Sequence, residues 1–457
     1  MSEPELPPAE LPSPDAHLQA GLGGTWQRLH PLSPIVRAGR GLIAIAFVLL
    51  FAAVPRGSGA GGGAFQSALS HIVVVVVVFL VALVSWLVTR WRVRDGVLQV
   101  ETGLIRRTSE RLPLTQVQAI DTVRPGLARV FGLTELRIRM ASGHGRAGRL
   151  AYLTSSEAEV LRAQLLAMSR GLHEATPEPL ATTLLAVPAE RLWISQLLSG
   201  LGLVVLLGVA IIVALVVISP GAAAAASGAL VLYLLVAVSI LFSRFSRYYG
   251  LTVARAEDGL RLRSGLIQTS AETLPLARIQ AIRLVEPVAW RITGWCRLEV
   301  DIASQRSKGR QDRVEGKAAR ALLPVGTRTE AAFLLDAIFP GVTKERIRPP
   351  RRAVWKSPLR YSHLSWGFDD GYAVTTSGRL RGVTDWVPLA KIQSIRWVQG
   401  PVQRKLRLAS IHLDTAGRRV HAVLRDRDAS EAVRLMDELP KWCRVARLRT
   451  DGMDRPH

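Results

Sequence analysis

The chain contains few of the residue types that build catalytic or metal centres. It has two cysteines, Cys296 and Cys443, and nine scattered histidines without a cluster at metal-ligand spacing. Two cysteines so far apart exclude a disulfide framework and a thiolate-rich metal site, and reduced thiols suit a cytoplasmic setting. No nucleophile–base pair or carboxylate dyad recurs along the chain. We therefore expect no enzyme activity, no metal and no cofactor.

Acidic residues are also scarce. The 457 residues include 36 Asp and Glu against 59 Lys and Arg, a formal net charge of +23, and the excess lies mainly in 244–457. Such a surface suits phosphates, on lipid head groups or on nucleic acid. An Arg-rich composition with solvated charged faces explains the same excess, so that alternative stays open. The acidic, Pro-rich start is unlike a signal peptide, and we expect 1–27 to be disordered.

Charge is absent altogether from several long stretches. Residues 68–88 and 192–243 carry none, and Pro220–Gly221 divides the second stretch. As helices, each piece can cross a hydrocarbon core of about 30 Å. A shorter apolar segment from Gly41 reaches that length only with Ile35 and Val36. We therefore expect two pairs of transmembrane helices, 35–88 and 192–243.

The flanking arginines predict the orientation of these pairs. The short loops within each pair are nearly uncharged, whereas the opposite ends carry Arg28, Arg37, Arg40, Arg90, Arg92, Arg94, Arg191, Arg244 and Arg247. Cytoplasmic flanks of membrane helices are enriched in Lys and Arg. We expect a multi-pass protein of the cell (plasma) membrane, with its N-terminus, the segments between and after the pairs, and its C-terminus in the cytoplasm.

One segment of the chain occurs three times, starting at Asp95, Asp258 and Asp370. In each copy a glycine (Gly103, Gly265, Gly378) precedes a proline (Pro113, Pro275, Pro388) by ten residues, and a glutamine (Gln118, Gln280, Gln393) follows five residues later. Fixed offsets between turn residues and apolar positions indicate one folded unit built three times.

Each copy has the pattern of antiparallel strands followed by a helix. Apolar and charged residues alternate in stretches such as 136–140 and 298–302, as half-buried strands require. Helix start signals follow at Ser156 with Glu159, Thr327 with Glu330 and Asp428 with Glu431. We expect a small, partly open barrel whose end is closed by the helix.

These residues resemble a known family. RLHPLSP (28–34), LPLxx[VI]QAI in the first two copies, VPLAKIQSI in the third and QGPVQRKLRLASIHLDTAG (399–417) are similar to the bacterial PH-domain family, formerly named the membrane-flanked domain. The three-copy arrangement with paired spans resembles its YdbT-like branch. The resemblance implies pleckstrin-homology-like barrels and supplies no catalytic residues. Arg407 stands where the other copies have Gly132 and Gly294, so we expect a different turn there.

The predicted fold class is an α+β multidomain membrane protein, with paired transmembrane helices and three PH-like β-barrels, each closed by a C-terminal helix. The predicted boundaries are 1–27 for the disordered start, 35–88 for the first helix pair, 89–175 for PH-like domain 1, 192–243 for the second pair, 244–345 for domain 2, 346–357 for a basic linker and 358–446 for domain 3.

Clusters of basic residues are the candidate binding residues for lipid or a partner. They are Arg137, Arg139, Arg146, Arg149, Arg306, Lys308, Arg310, Arg351, Arg352, Arg404, Lys405, Arg418 and Arg419. Solvated turns and strand faces are the alternative explanation. Four tryptophans, Trp355, Trp366, Trp386 and Trp397, crowd the third copy and suit either core packing or an exposed recognition face.

The leading functional hypothesis is a non-enzymatic integral membrane protein that acts as a scaffold. Its three cytoplasmic domains are expected to bind anionic phospholipid head groups, an unidentified membrane or cytoplasmic protein, or each other, with a homo-oligomer left open. Nucleic acid is not expected as a partner because the anchors hold the basic surfaces at a membrane. An oligomeric transporter or channel component is the alternative.

Overall fold

The computed structural model describes most of the chain after Gly24. The described residues are 25–36, 76–77, 80, 83–103, 107–140, 148–169, 181–218, 223–256, 259–303, 320–341, 346–368, 371–417 and 419–453. The predicted disordered start lies outside this part of the chain, and so does most of the first predicted helix pair.

Twenty strands and nine helices have both of their ends within the described residues. The strands are β1 (Gln27–Arg28), β2 (Arg90–Arg94), β3 (Val97–Thr102), β4 (Thr108–Pro113), β5 (Val117–Arg124), β6 (Leu133–Met140), β7 (Gly148–Thr154), β8 (Thr182–Ala186), β9 (Thr252–Ala256), β10 (Gly259–Ser264), β11 (Thr269–Leu274), β12 (Ile279–Pro287), β13 (Trp295–Ile302), β14 (Arg320–Thr327), β15 (Ser365–Phe368), β16 (Tyr372–Ser377), β17 (Arg381–Pro388), β18 (Ile392–Val398), β19 (Leu408–Thr415) and β20 (Ala422–Asp428).

The helices vary from five to 26 residues. They are α1 (Gly126–Val130), α2 (Ser155–Ser169), α3 (Ala189–Leu197), α4 (Gly200–Ile218), α5 (Ala223–Tyr248), α6 (Val288–Thr293), α7 (Arg328–Ile338), α8 (Pro401–Lys405) and α9 (Ala429–Met453). Short 3-10 turns lie at Leu114–Gln116, Leu276–Arg278, Arg351–Trp355, Tyr361–His363 and Leu389–Lys391.

Strand order repeats three times along the chain. The first half of each repeat supplies three strands (β2–β4, β9–β11, β15–β17), and the second half supplies three more (β5–β7, β12–β14, β18–β20). A 3-10 turn directly after the repeated proline (Pro113, Pro275 or Pro388) separates the halves each time. A short helix (α1, α6, α8) joins the first two strands of each second half, and a longer helix (α2, α7, α9) ends each repeat.

The chain divides into two compact units. The first unit comprises Met1–Leu180 with Ile267–Thr273. Its strands form the sheet β1-β2-β3-β4 and a second sheet in which β5, β6 and β7 are adjacent, with β11 antiparallel to β5 on the other side. Leu98, Ile138 and Leu161 are fully buried between these sheets and α2. The alternation seen in the sequence therefore directs one face of each strand into a shared core.

The second unit comprises Ala181–Leu266 with Leu274–His457. It contains β8, β9 and β10 as neighbours, a six-stranded sheet in the order β14-β13-β12-β17-β16-β15, and the three-stranded sheet β18-β19-β20. The six-stranded sheet joins the second half of the second repeat to the first half of the third repeat. One core includes Leu298 and Trp386 from these two repeats, and another lies under α9 around Leu435.

The prediction of PH-like β-barrels is confirmed only as a multi-sheet α+β fold with three PH-like repeats. Among the described residues no barrel is closed, because β5 and β12 pair with strands of the following repeat. In the first two repeats, the second-half sheet thus extends into the next repeat, where a closed barrel would fold back on itself. The predicted domain boundaries stay predictions.

The glycines of the repeated motif adopt the expected turns. Gly103, Gly265 and Gly378 have φ values of 100°, 119° and 96°, a region that favours glycine. The expectation that Arg407 changes its turn is wrong. Arg407 has φ 52°, close to the 67° of Gly132 and the 68° of Gly294, so the backbone keeps the same left-handed turn with a larger residue.

The helix start signals are correct in part. Thr327 and Glu330 form a complete capping box at α7. At α2 the expected Ser156 and Glu159 are displaced by two positions. There the Thr154 Oγ1 accepts from the N–H of Glu157 at 3.3 Å, and the Glu157 carboxylate accepts from the N–H of Thr154 at 2.9 Å. At α9 Asp428 accepts from the N–H of Ser430 at 2.9 Å, while Glu431 binds Arg427.

Apolar helices lie between β8 and β9. Leu230–Tyr248 is long and apolar enough to cross a membrane, and Ala189–Leu197 with Gly200–Leu215 satisfies the same criteria if this pair, bent by 56°, is one span. The apolar stretch is therefore not one straight helix over 192–215. A Cβ on Gly202 would lie 2.3 Å from the carbonyl oxygens of Gln196 and Leu197, so the close turn after α3 requires glycine at that position. Paired transmembrane helices stay a prediction.

Candidate functional site

The predicted basic residues fall into three groups in the structure. Arg146, Arg306, Lys308, Arg310 and Arg418 lie outside the described residues, and of Arg149 only the backbone, in β7, is described. Arg137, Arg139 and Arg419 lie in or beside sheets that join strands of two repeats. Arg351, Arg352, Arg404 and Lys405 lie at one corner of the third repeat. Whether any of them binds a ligand stays a prediction.

Arg139 holds together strands of two repeats in the first unit. Its guanidinium lies 2.6 Å from the carboxylate of Asp121 on β5 and also contacts that of Glu272 on β11. Burial lowers the pKa of Arg139, but the two carboxylates raise it more, so the net shift is upward and the charge is retained. Arg137 on the same strand pairs with Glu135 at 3.2 Å.

Arg283 occupies the corresponding junction in the second unit. Its Nε and Nη2 donate to the carboxylate of Asp385 at 2.6 Å and 2.9 Å, and its Nη1 donates to the carbonyl of Arg419 at 3.1 Å. The carboxylate of Asp301 accepts from the N–H groups of Arg419 and Val420 at 2.8 Å and 2.9 Å. Arg419 is therefore placed by its backbone at a contact between the second and third repeats.

The other cations of the third repeat lie together at one corner. Arg352 contacts the carboxylate of Asp428 at the start of α9, and its Nη2 donates to the carbonyl of Arg407 at 3.2 Å. This contact brings the 3-10 turn Arg351–Trp355 next to the end of α8. Arg351, Arg404 and Lys405 are exposed there. We call these three residues, with Arg352, the basic corner.

Large apolar side chains are exposed beside the basic corner. Trp355 follows Arg352 in the same turn and is 83% exposed, and Leu359 and Val402 are also exposed. Trp366 and Trp386, in contrast, are buried. Core packing therefore holds for two of the four tryptophans, whereas Trp355 and Trp397 are exposed. Whether these two form a recognition face stays a prediction.

Strand pairing shows where this surface lies in a repeat. Ile347 bridges to Trp366, and Ser365 pairs with Thr376, just before the Gly378 turn. The chain over 348–364 therefore leaves the sheet at the end where Gly378 lies. We call this end of the first-half strands the insertion end.

The second repeat has its apolar helices at the same position. Ala186 pairs with Thr252 and Thr252 pairs with Arg263, just before the Gly265 turn, so α3–α5 are inserted at the insertion end. In the first repeat, Arg28 pairs with Arg90 before the Gly103 turn, and the segment between them contains the first predicted helix pair.

A contact at the start of the C-terminal helix is shared as well. Arg191 of α3 pairs with Glu330 in the first turn of α7 at 2.8 Å, just as Arg352 pairs with Asp428 before α9. The segment 348–364 of the third repeat therefore stands where the second repeat has its apolar helices.

Exposed apolar residues recur on the short helix of the first two repeats. Ile292 at the end of α6 is 89% exposed, and Val130 at the end of α1 is 79% exposed. Leu380 is also exposed. It lies beside α6, because its carbonyl accepts a hydrogen bond from the N–H of Val288. Sequence reasoning missed these residues. The available signal was an apolar residue two positions before the turn glycine in both copies, Gly132 and Gly294.

The described residues contain no group of three His, Cys, Asp or Glu side chains that could hold a metal ion. A shallow cleft of about 160 Å³ lies over the Arg283–Asp385 pair and is lined by Arg381, His421 and Arg425. Cys296 and Cys443 are buried and unpaired by a disulfide. Burial raises the pKa of the Cys296 thiol to about 12, so this thiol is not poised as a nucleophile.

Comparison with known proteins identifies one family. Neither a curated protein nor a solved structure matches the chain. The family model described as the bacterial PH domain matches three segments, residues 42–169, 196–338 and 318–441. These matches cover most of the chain and follow the three structural repeats, whereas the YdbT-like arrangement stays a prediction. The chain therefore belongs to the bacterial PH domain family.

Proposed function

We propose that this protein is a multi-pass membrane scaffold whose three PH-like repeats lie on the cytoplasmic leaflet with their insertion ends against the lipid. Three bacterial PH domains suggest a binding or scaffold role. In this proposal the basic corner binds anionic phospholipid head groups, and the remaining surfaces are open to a protein partner.

The apolar helices support the membrane anchoring. Side chains around both α4 and α5 are exposed and almost all aliphatic, for example Leu207, Val217 and Leu235. Large contiguous apolar surfaces of this kind are rare on proteins that are surrounded by water. The 19 residues of α4 span about 28 Å as a helix, close to the hydrocarbon thickness of a bilayer.

One observation carries the lipid-binding proposal. Among its described residues the third repeat has no apolar helix pair, yet the segment at the equivalent position carries exposed Trp355 and Leu359. The same segment carries Arg351 and contacts the chain just after α8, where Arg404 and Lys405 are exposed. Tryptophan favours the interface between lipid and water, and each cation near an anionic leaflet contributes on the order of 1 kcal/mol. Together these side chains form an interfacial anchor that holds the third repeat on the membrane.

The test uses the full-length protein in bilayers. Trp355→Cys, labelled with an environment-sensitive fluorophore, is reconstituted into vesicles of phosphatidylcholine with or without phosphatidylglycerol. The native cysteines are buried, so labelling of the unsubstituted protein gives the background. We expect a blue-shifted emission and quenching by brominated lipids when phosphatidylglycerol is present. Replacing Arg351, Arg404 and Lys405 by glutamine should weaken both signals.

A matched control is available on α9. Leu448 is also an exposed apolar residue, but it lies 19 positions after the start of α9 at Ala429, about 28 Å along the helix from the insertion end. A fluorophore on Leu448→Cys should stay in water under all conditions. Equal emission and quenching at both positions, or no response at position 355 with anionic lipid, would contradict the proposed anchor.

A further inference from the structure

Strands of successive repeats pair in one conserved register. Between the second and third repeats, Arg283 on β12 lies opposite Asp385 on β17. Between the first and second repeats, Thr122 on β5 lies opposite Ala271 on β11, and the next pair in that register is Asp121 with Glu272. The register is therefore the same in both junctions. The residue three positions after the repeated glutamine of one copy lies opposite the residue three positions before the repeated proline of the next copy.

In the part of the chain that the structure describes, two strands of this series lie at a sheet edge with no strand of another repeat beside them. In the described part of the chain β4, the counterpart of β11 and β17, pairs only with β3, and β18, the counterpart of β5 and β12, pairs only with β19. Each therefore presents an unpaired row of backbone N–H and C=O groups. Such edges are templates for pairing with another strand.

The side chains of β18 have the exposure expected of an uncovered junction. Val398 is 42% exposed, whereas its counterparts Val123 and Val285 are 3% and 2% exposed. Trp397 beside it is also exposed. Arg447 donates to the carbonyl of Ile392 at 2.6 Å, so only the start of the strand is engaged. The residues of β18 that correspond to the paired residues of β12 have no second partner strand among the described residues.

The charges at the two edges are complementary. Arg396 on β18 occupies the position of Arg283, and Glu110 on β4 occupies the position of Glu272 and Asp385. Arg396 already binds Asp414, with 3.0 Å between Nη2 and Oδ1. Within the described residues Glu110 makes no ion pair. A carboxylate from Glu110 would give Arg396 two acidic partners, as Arg139 has in Asp121 and Glu272.

From these observations we infer that copies of this chain associate head to tail, with β18 of one copy adding antiparallel to β4 of a second copy. The register places Arg396 opposite Glu110, Trp397 opposite Ser109 and Val398 opposite Thr108. The pairing reproduces between chains the junction that the chain builds twice within itself. A heterologous contact of this kind produces a ring if the rotation closes and an open chain if it does not.

Cysteine crosslinking in the full-length protein tests the register. Two differently tagged chains, one with Trp397→Cys and one with Ser109→Cys, are co-expressed, and oxidation of membranes should give a dimer that carries both tags. Residues directly opposite in an antiparallel pair have Cβ atoms about 5 Å apart. Combining Trp397→Cys with Glu110→Cys slips the register by one residue and points the thiols to opposite faces, so little crosslink is expected.

A chain that carries both Trp397→Cys and Ser109→Cys distinguishes crosslinks between copies from a crosslink within one chain. A ladder of dimers and larger species supports association between copies. An internally crosslinked monomer, with no product between the two tagged chains, would show that β18 closes on β4 of the same chain and would overturn the inference. Absence of any crosslink would overturn it as well.

Charge reversal provides an independent test. Glu110→Arg places two cations opposite each other and should reduce the crosslink between the tagged chains about tenfold. Adding Arg396→Glu to the chain that carries Trp397→Cys should restore it. If Glu110→Arg leaves the yield unchanged, the proposed register is wrong.

Discussion

At the residue scale, Arg407 shows how one backbone position is kept while its residue type changes. The first two repeats use glycine for this left-handed turn, and the third uses arginine with φ 52°. The sequence suggested a different turn because arginine rarely adopts this conformation. The surrounding contacts outweigh that preference, since the carbonyl of Arg407 accepts from the N–H of Ala429 at 3.0 Å and from Arg352.

We expect Arg407→Gly to stabilise the protein. The substitution removes the steric cost of a side chain at positive φ, and the greater freedom of glycine in the unfolded chain offsets part of that gain, which leaves about 0.5–1 kcal/mol. Chemical unfolding of the protein in detergent, followed by circular dichroism, measures the difference in free energy of unfolding.

Gly294→Arg is the matched control for this prediction. Gly294 has nearly the same φ, and nothing lies within 4 Å of an added Cβ. The only expected effect is therefore the steric cost of a side chain at positive φ, and the variant should lose about 1 kcal/mol of stability. If both substitutions change stability in the same direction, backbone strain at this turn is not the cause.

The first turn of α7 carries a charge that makes stability depend on pH. Burial raises the pKa of Glu330, but hydrogen bonds from Thr327 and the ion pair with Arg191 lower it more, so the net shift is downward. A carboxyl group with a lowered pKa in the folded state stabilises the protein above its unfolded pKa, about 4.3. That contribution is lost as the pH falls through the folded-state pKa.

Glu330→Gln should therefore be less stable than the unsubstituted protein at neutral pH, and the difference should shrink below about pH 4. Thermal unfolding at a series of pH values measures this convergence. Glu438 is exposed on α9, so Glu438→Gln serves as the control and should show no such trend. A stability difference for Glu330→Gln that is constant with pH would mean that the ion pair contributes nothing.

At the element scale, the bend between α3 and α4 shows the limit of composition as a guide. Residues 192–219 are uncharged throughout, and this pattern predicts one continuous span. In the structure Leu192 is buried with Phe245 in the core of the second unit, so α3 packs on the repeat. Hydropathy reports that a segment avoids water, but it does not distinguish lipid from a protein core.

Gly202 is the residue on which this bend depends. Gly202→Ala would place a methyl group 2.3 Å from two carbonyl oxygens, so the backbone has to move. We expect a loss of about 1–3 kcal/mol, as for other overpacked sites, measured as a lower thermal midpoint. Gly200→Ala, two residues away, meets nothing within 4 Å and should be nearly neutral. Similar midpoints for the two variants would show that the bend does not require glycine.

The repeated strands were the most predictable elements of the fold. Period-two alternation and fixed glycine–proline offsets depend on local backbone geometry, and the structure has strands and turns at these positions. The pairing of β12 with β17 was not predictable, because alternation shows which face of a strand is buried and not which strand lies beside it. Because the neighbouring strand could not be predicted, Arg139 was interpreted as a surface cation. In the structure it binds carboxylates from two repeats.

At the scale of the whole molecule, repetition makes comparison between copies informative. The segment 348–364 attracted attention in the sequence for its charge and for Trp355. Once the strands of the three repeats are aligned, it occupies the place of the apolar helices, and Trp355 becomes the exposed tip of a surface. The basic corner could be predicted in part, because its four cations form two pairs of neighbours in the sequence. Its apolar residues could not, since their exposure depends on tertiary packing.

The membrane orientation is the last prediction, and it concerns the entire chain. The positive flanks predict that the repeats lie inside the cell and that the link between α4 and α5 lies outside. In intact cells, a membrane-impermeant maleimide should therefore label Ala222→Cys in this link. Lys405→Cys, exposed at the basic corner, should react only after the membrane is permeabilised.

Permeabilised cells provide the control, because the membrane no longer excludes the reagent from either position. The native thiols of Cys296 and Cys443 are buried and contribute little background. Labelling of Lys405→Cys from outside intact cells would reverse the orientation. The basic corner would then face the outer surface, where it could not meet the anionic cytoplasmic leaflet, and lipid binding as proposed would fail with it.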